Sequence, residues 1–212
     1  MHDHLVFLKE FLTKFEETGS AIPSSSWAAK AMTNSLRRTV RPQSILEVGP
    51  GTGSVTTKIL NDMVDGDHLT VCEINPRFMS ALKEKISDNK NFLRRKQNID
   101  FFEGPIQEMP EKRSYDIIIC ALPFTNLKVE IIEDIFAKFQ RLSTADAHIT
   151  FFEYMGLRRI GRMTSLPERR ERLEEIDALF EKIYKNYDRT TKKVWFNFTP
   201  INVYTLKSKL AA

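Results

Sequence analysis

The sequence predicts an α/β fold built on a seven-stranded, mostly parallel sheet. Three observations predict it. From residue 44 to residue 153, short apolar runs alternate with helical stretches. A glycine-rich loop, Gly49–Gly53, directly follows the first apolar run. Two strand-like segments close the chain around Pro200 and read as an antiparallel pair at the sheet edge. Alternating strands and helices place helices on both faces of a parallel sheet.

Each element has its own signal. Leu5, Leu8, Phe11, Leu12 and Phe15 recur at helical spacing over residues 4–17, with Phe7 beside them, predicting a short amphipathic helix. A turn follows at Gly19-Ser20. The serines before Trp27 then read as the N-cap of a second helix, which ends before Pro42. Strands are expected at Ser44–Val48, His68–Glu73, Ile99–Glu103, Tyr115–Ala121 and Ala147–Glu153. Helices are expected at 53–63, from Pro76 to Ser87, and at 128–142; Pro76 suits a first helical turn. The apolar centres Ile117–Ile119 and Ile149–Phe152 suit strands buried on both faces. Residues 167–185 form a charged helix with Leu173, Ile176, Leu179, Phe180 and Ile183 on one face. The closing strands are expected at 193–198 and 201–207. The chain then divides into an N-terminal helical extension, 1–40, and a main domain, 41–212.

Composition agrees with this size of fold. The chain has 212 residues, 42% hydrophobic and 28% charged, enough to bury a core without disulfides or metal. Its net charge of +4 is too mild to imply nucleic acid by itself. Cys72 and Cys120 lie inside apolar runs and read as reduced core residues. Met1-His2-Asp3-His4 lacks a basic leader, and no apolar run approaches the roughly 20 residues of a spanning helix. The chain is expected to fit a reducing, cytoplasmic compartment, and a membrane, if one matters, to be touched from outside. No metal site is read from the sequence.

The segment Glu47-Val48-Gly49-Pro50-Gly51-Thr52-Gly53 carries the most specific signal. Glycines between a strand and a helix let the backbone turn sharply and approach a ligand. In open α/β sheets ligands lie outside the carboxyl ends of the strands. The dinucleotide pattern needs glycines at 49, 51 and 54, and position 54 is Ser54. The E-x-G-x-G-x-G spacing resembles class I methyltransferases instead, where this loop packs on the methionine part of S-adenosylmethionine. Glu73, ending the next strand, is placed to accept hydrogen bonds from both ribose hydroxyls. After the third strand, Gly104-Pro105-Ile106 offers no acid before Glu108. Ile74 and Ile106, with backbone groups, are left to hold the adenine.

After the fourth strand comes Cys120-Ala121-Leu122-Pro123-Phe124. Enzymes that methylate adenine N6 place an Asn or Asp before such a proline, to accept from the exocyclic amine. Ala121 cannot accept, which disfavours RNA adenine as substrate. An aliphatic amine has a pKa of about 10.4 by analogy with lysine and must lose a proton before it attacks. Glu153 is a candidate proton acceptor. Phe124, Tyr154 and Trp27 are candidate aromatic faces for a methylated cation.

The whole chain resembles the bacterial phospholipid N-methyltransferases, a family related to the rRNA adenine dimethylases. Gly19–Ser25 is similar to the family's G-A-I-x-P-S-S segment, Ile45–Thr57 to its V-L-E-x-G-P-G-T-G-x-x-T run, and Leu122-Pro123-Phe124 to its L-P loop. Phe151–Tyr154 resembles its aromatic strand end. Trp195–Val203 resembles its closing strand pair more loosely, with Thr199 for a proline. The resemblance implies a Rossmann-like class I methyltransferase that uses S-adenosylmethionine and releases S-adenosylhomocysteine. It implies stepwise methylation of phosphatidylethanolamine toward phosphatidylcholine at an anionic membrane surface, with no nucleic-acid partner. Cofactor contacts are then expected at Ser25, Glu47, Gly49, Gly51, Thr52, Gly53, Glu73, Ile74, Gly104, Pro105, Ile106, Cys120, Ala121 and Leu122. Catalytic positions are expected at Pro123, Phe124, Glu153 and Tyr154, and lipid contacts at Ile22, Trp27, Arg158 and Arg159. The first helix is expected to anchor the enzyme to the bilayer, aided by Arg158, Arg159, Arg162, Arg169 and Arg170. Another amine lipid, such as an ornithine lipid, an RNA adenine acceptor and a non-catalytic binding module remain open from the residues alone.

Overall fold

The computed structural model describes residues 25–36, 41–155, 167–197 and 199–209. The expected first helix, Ile22, Arg158, Arg159 and Arg162 lie outside these residues.

The described chain begins with α1 (Ser26–Met32) and continues β1 (Ser44–Val48), α2 (Ser54–Asp62), β2 (His68–Glu73) and α3 (Pro76–Ile86). It then runs α4 (Lys90–Arg95), β3 (Ile99–Glu103), β4 (Tyr115–Cys120), α5 (Val129–Leu142) and β5 (Ser143–Tyr154). The last elements are α6 (Pro167–Tyr184), β6 (Tyr187–Val194) and β7 (Ile201–Ser208). Seven strands form one sheet in the order β3-β2-β1-β4-β5-β7-β6. β1 to β5 pair in parallel, while β7 runs antiparallel to both β5 and β6. The order reverses between β1 and β4, so the crevice at their carboxyl ends is the natural ligand position. Register brings Val48 level with Cys72 on one side and Cys120 on the other.

Strand alternation sorts the core onto two faces. Leu46, Val48, Cys72, Ile118, Cys120 and Phe151 point to one face and pack with α5 and α6. Ile45, Leu69, Val71, Ile117 and Ile119 point to the other and pack with α1 to α4. α1 therefore shares a core with the sheet through Ala28, Ala29, Ala31 and Met32. Ser25 caps it by accepting from the Ala28 N–H at 3.2 Å. In α6, Leu173, Ile176, Leu179 and Phe180 are buried, as the sequence periodicity predicts. Both cysteines are free and buried.

Three boundaries differ from expectation. The short helix α4 has no counterpart in the sequence reading. β5 starts at Ser143, before its apolar centre, because Ser143 pairs with Tyr115 ahead of an irregularity in the β4–β5 register. β6 spans 187–194 rather than 193–198. Its charged side chains show no apolar alternation, since it is an exposed edge strand held by register with β7. Trp195 and Phe196, which suggested a strand, lie just beyond it.

Candidate active site

The carboxyl ends of β1, β2 and β4 converge through backbone hydrogen bonds. Gly49 N–H donates to the Cys72 carbonyl at 2.9 Å, and Ala121 N–H donates to that of Val48 at 2.9 Å. Gly104 N–H donates to the Glu73 carbonyl at 2.9 Å. These bonds fix the starts of three loops along one rim.

Gly49, Gly51 and Gly53 have φ of 71°, 53° and 74°, the left-handed region that favours glycine. Their surroundings differ. A Cβ at Gly53 collides with Leu82, whereas one at Gly51 meets nothing within 4 Å. Gly53 is thus glycine for packing, and Gly51 leaves open space where a ligand can approach. The Thr52 carbonyl accepts from Lys85 Nζ at 2.6 Å, which ties the loop to α3.

Two carboxylates stand behind this loop. Glu47 is fully buried, and neither oxygen makes a hydrogen bond of good geometry to protein atoms. Burial pushes its pKa from 4.5 up to about 8; the Thr56 hydroxyl nearby opposes the rise, and the charge of Glu73 adds to it. A buried, unsatisfied acid is costly and is relieved by a cation or donor. The methionine end of S-adenosylmethionine carries such an ammonium group, so this residue set fits that cofactor. Glu73 is also buried, and its Oε1 accepts the Asn75 N–H at 2.9 Å. Asn75 in turn caps α3. Its part in orienting Glu73 is absent from the sequence reading, although Asn before Pro76 signals the cap.

Several expected site residues are placed differently. Phe124 is a correction: it is 1% exposed and packs against Phe136, Phe151 and Phe180 at 5.4, 5.5 and 5.8 Å. Its ring belongs to the core and presents no face to a cation. Ile106 is likewise buried in the core, leaving half-buried Ile74 and Pro105 at the rim. The Cys120 side chain is fully buried, and burial pushes its thiol up to about 12, so it is inert. Leu122 is buried too, with its side chain closing against Gly49.

The remaining candidates fall at the rim. Ala121, Pro123 and Tyr154 are half-buried, and Thr52 is exposed. Tyr154 packs edge-on against Phe152 at 5.4 Å, and burial raises its phenol pKa. Glu153 is 9% exposed and faces Asn202 in the β5–β7 register. Ser25 uses its hydroxyl as the α1 cap, and its N–H donates to Asn197 Oδ1 at 3.0 Å. Trp27 is exposed on α1. The amide oxygen of Gln107 is buried without a partner, close after Gly104-Pro105, and no local pattern marks it.

Residues 45–146 match the family described as a methyltransferase domain. Strand order, glycine loop and that match define the class: this is an S-adenosylmethionine-dependent methyltransferase with a class I domain. Among sequence relatives, an ornithine lipid N-methyltransferase from Singulisphaera acidiphila is 26% identical over 143 residues, spanning 64% of this chain and 70% of that protein. Two solved structures share the fold. The O-methyltransferase TomG from Streptomyces achromogenes, in complex with S-adenosylmethionine, has a TM-score of 0.65 at 13% identity, covering 94% of this chain and 88% of that one. An O-methyltransferase from Bacillus cereus, in complex with S-adenosylhomocysteine, has a TM-score of 0.62 at 15% identity, with coverages of 95% and 90%.

Proposed function

We propose that this enzyme methylates the amine headgroup of a membrane lipid, working as a monomer at the inner face of the membrane. The similarity to an ornithine lipid N-methyltransferase carries this reading. The acceptor rim agrees with it. Ala121 supplies no side-chain acceptor for an exocyclic amine, and half-buried Tyr154 stands at the same end of the sheet. Ornithine lipid is the first acceptor to test, and phosphatidylethanolamine the second. Among the described residues no helix is long and apolar enough to cross a membrane. Contact with lipid is therefore assigned to the protein surface.

In this reading S-adenosylmethionine supplies a sulfonium methyl group to the amine nitrogen. The loop Gly49–Gly53 orients the donor, Glu47 balances its ammonium, and Glu73 holds the ribose hydroxyls. Gly104, Pro105 and Ile74 flank the adenine. Alignment of donor and acceptor supplies much of the acceleration. The amine must shed a proton before attack, and Glu153 is the assigned acceptor, with Tyr154 facing the methylated cation.

Labelled S-adenosylmethionine incubated with vesicles containing ornithine lipid or phosphatidylethanolamine tests the acceptor. Labelled N-methyl lipid from either is the expected result. Labelling of RNA or a soluble amine, with both lipids blank, overturns the reading.

A further inference from the structure

One exposed surface lies beside the acceptor rim, where the β6–β7 tip adjoins the end of β5. Trp27, Trp195 and Phe196 are 57%, 64% and 76% exposed. Trp27 and Phe196 pack together, with ring centroids 5.9 Å apart. The chain has two tryptophans, and both stand in this region.

Hydrogen bonds hold the described residues of the tip that carries them. Asn197 accepts the Ser25 N–H at 3.0 Å and donates to the Thr199 carbonyl at 3.1 Å. Thr199 holds φ at 62°, an unfavourable conformation for a residue with a Cβ. The Met155 N–H donates to the Pro200 carbonyl at 2.7 Å, tying the tip to the end of β5. Local strain is kept where the surrounding structure enforces it, often for function.

Charge surrounds the aromatic rings. Lys30 is exposed one turn after Trp27 on α1. Lys192 and Lys193 are exposed at the end of β6. Lys193 pairs with Asn202 and Val194 with Ile201, so this basic end of β6 adjoins the tip. Lysines on an edge strand discourage pairing with other strands. That role does not extend to exposed aromatic rings beyond the strand end, which favour association. Tryptophan next to lysine is instead the composition of a membrane–water interface.

We infer that the β6–β7 tip, together with Trp27 and Lys30 of α1, docks on an anionic lipid bilayer. The rings sit at headgroup level and the lysines against lipid phosphates. This deepens the lipid-amine reading and rests on it for its purpose. Docking here turns the end of β5, with Glu153 and Tyr154, toward the headgroup layer.

Tryptophan fluorescence of the full chain tests the idea. Trp27→Phe and Trp195→Phe leave one reporter each. With vesicles of phosphatidylcholine and phosphatidylglycerol, brominated acyl chains quench both reporters. Lys192→Glu with Lys193→Glu weakens vesicle binding by about fivefold or more per lysine. Trp195→Ala with Phe196→Ala also weakens it, and S-adenosylmethionine affinity is unchanged in either double variant. Unquenched tryptophans in a protein that still sediments with vesicles overturn the inference and assign contact to another surface, such as residues 1–24. Unchanged binding by both double variants overturns it equally. Methyl transfer to amine lipid in detergent micelles separates the two readings. Micellar product without quenching sinks the docking surface alone, and quenching without micellar product sinks the acceptor assignment alone.

Discussion

The β1–β2 side of the rim and the β5–β7–β6 side are built on different terms. On the first, function lies in short contiguous segments: a glycine loop, a strand-end acid and a capped helix. Glu73 there is held by the N–H of Asn75, two residues further on. On the second, residues far apart in sequence meet, as when Asn197 binds Ser25 across 172 positions. The donor side is therefore a local device and the acceptor side a tertiary one. The same donor loop serves many acceptors, and the acceptor side is where a substrate is chosen.

The largest test of this contrast is Phe124, which local sequence assigns to chemistry and packing assigns to the core. Phe124→Ala should cost about 3–5 kcal/mol in denaturant unfolding. Phe124→Leu should cost far less and keep methyl transfer. Lost transfer in a stable Phe124→Leu protein would return the ring to the active site.

On the donor side, Gly51→Val should lower S-adenosylmethionine affinity by about a hundredfold, or ~2.7 kcal/mol by calorimetry. The protein should remain folded with a modest loss of stability, because open space surrounds that position while its φ of 53° strains any side chain. Gly53→Val should lose more stability, because its side chain also collides with Leu82. Equal behaviour of the two variants would erase the distinction between the ligand-facing and packing glycines.

Glu47 adds a pH signature to the donor side. Its folded pKa of about 8 lies above its ordinary 4.5, so the folded state retains a proton that the unfolded state releases. Its contribution to stability is full below the unfolded value and falls as pH rises toward the folded one. The slope in that window is at most about 1.4 kcal/mol per pH unit. Glu47→Gln should flatten the fall in thermal stability of the cofactor-free protein. Pairing with the donor's ammonium should also release a proton on binding, seen as a buffer-dependent calorimetric heat that the variant lacks.

The smallest effect is expected on the acceptor side. Asn197→Ala removes the link between the hairpin tip and α1, at a cost of about 1 kcal/mol. Tryptophan emission should shift as Phe196 leaves Trp27. An unchanged spectrum would show that the tip is held by something other than Asn197.

Much of the donor side was legible in the sequence. The bounds of β1, β2 and β3 follow from apolar runs, and Pro76 marks the start of α3. Glycine spacing separates this loop from the dinucleotide pattern because backbone conformation is a local property. β6 was misplaced because an edge strand needs no apolar alternation: its hydrogen bonds come from β7. Trp195 and Phe196 look like strand residues by composition, and only pairing register leaves them outside.

By itself, the sequence determined the fold class, the donor and the loop that receives it. These depend on periodicity and on glycines at fixed spacing, which act over a few residues. Tertiary structure decided that Phe124 and Ile106 are core residues and that Glu47 is buried without a hydrogen bond. It also brought two tryptophans from opposite ends of the chain to one rim. Periodicity marks the buried face of a helix or strand, but whether a loop residue such as Phe124 joins the core, and which distant side chains meet, depends on how those elements pack together.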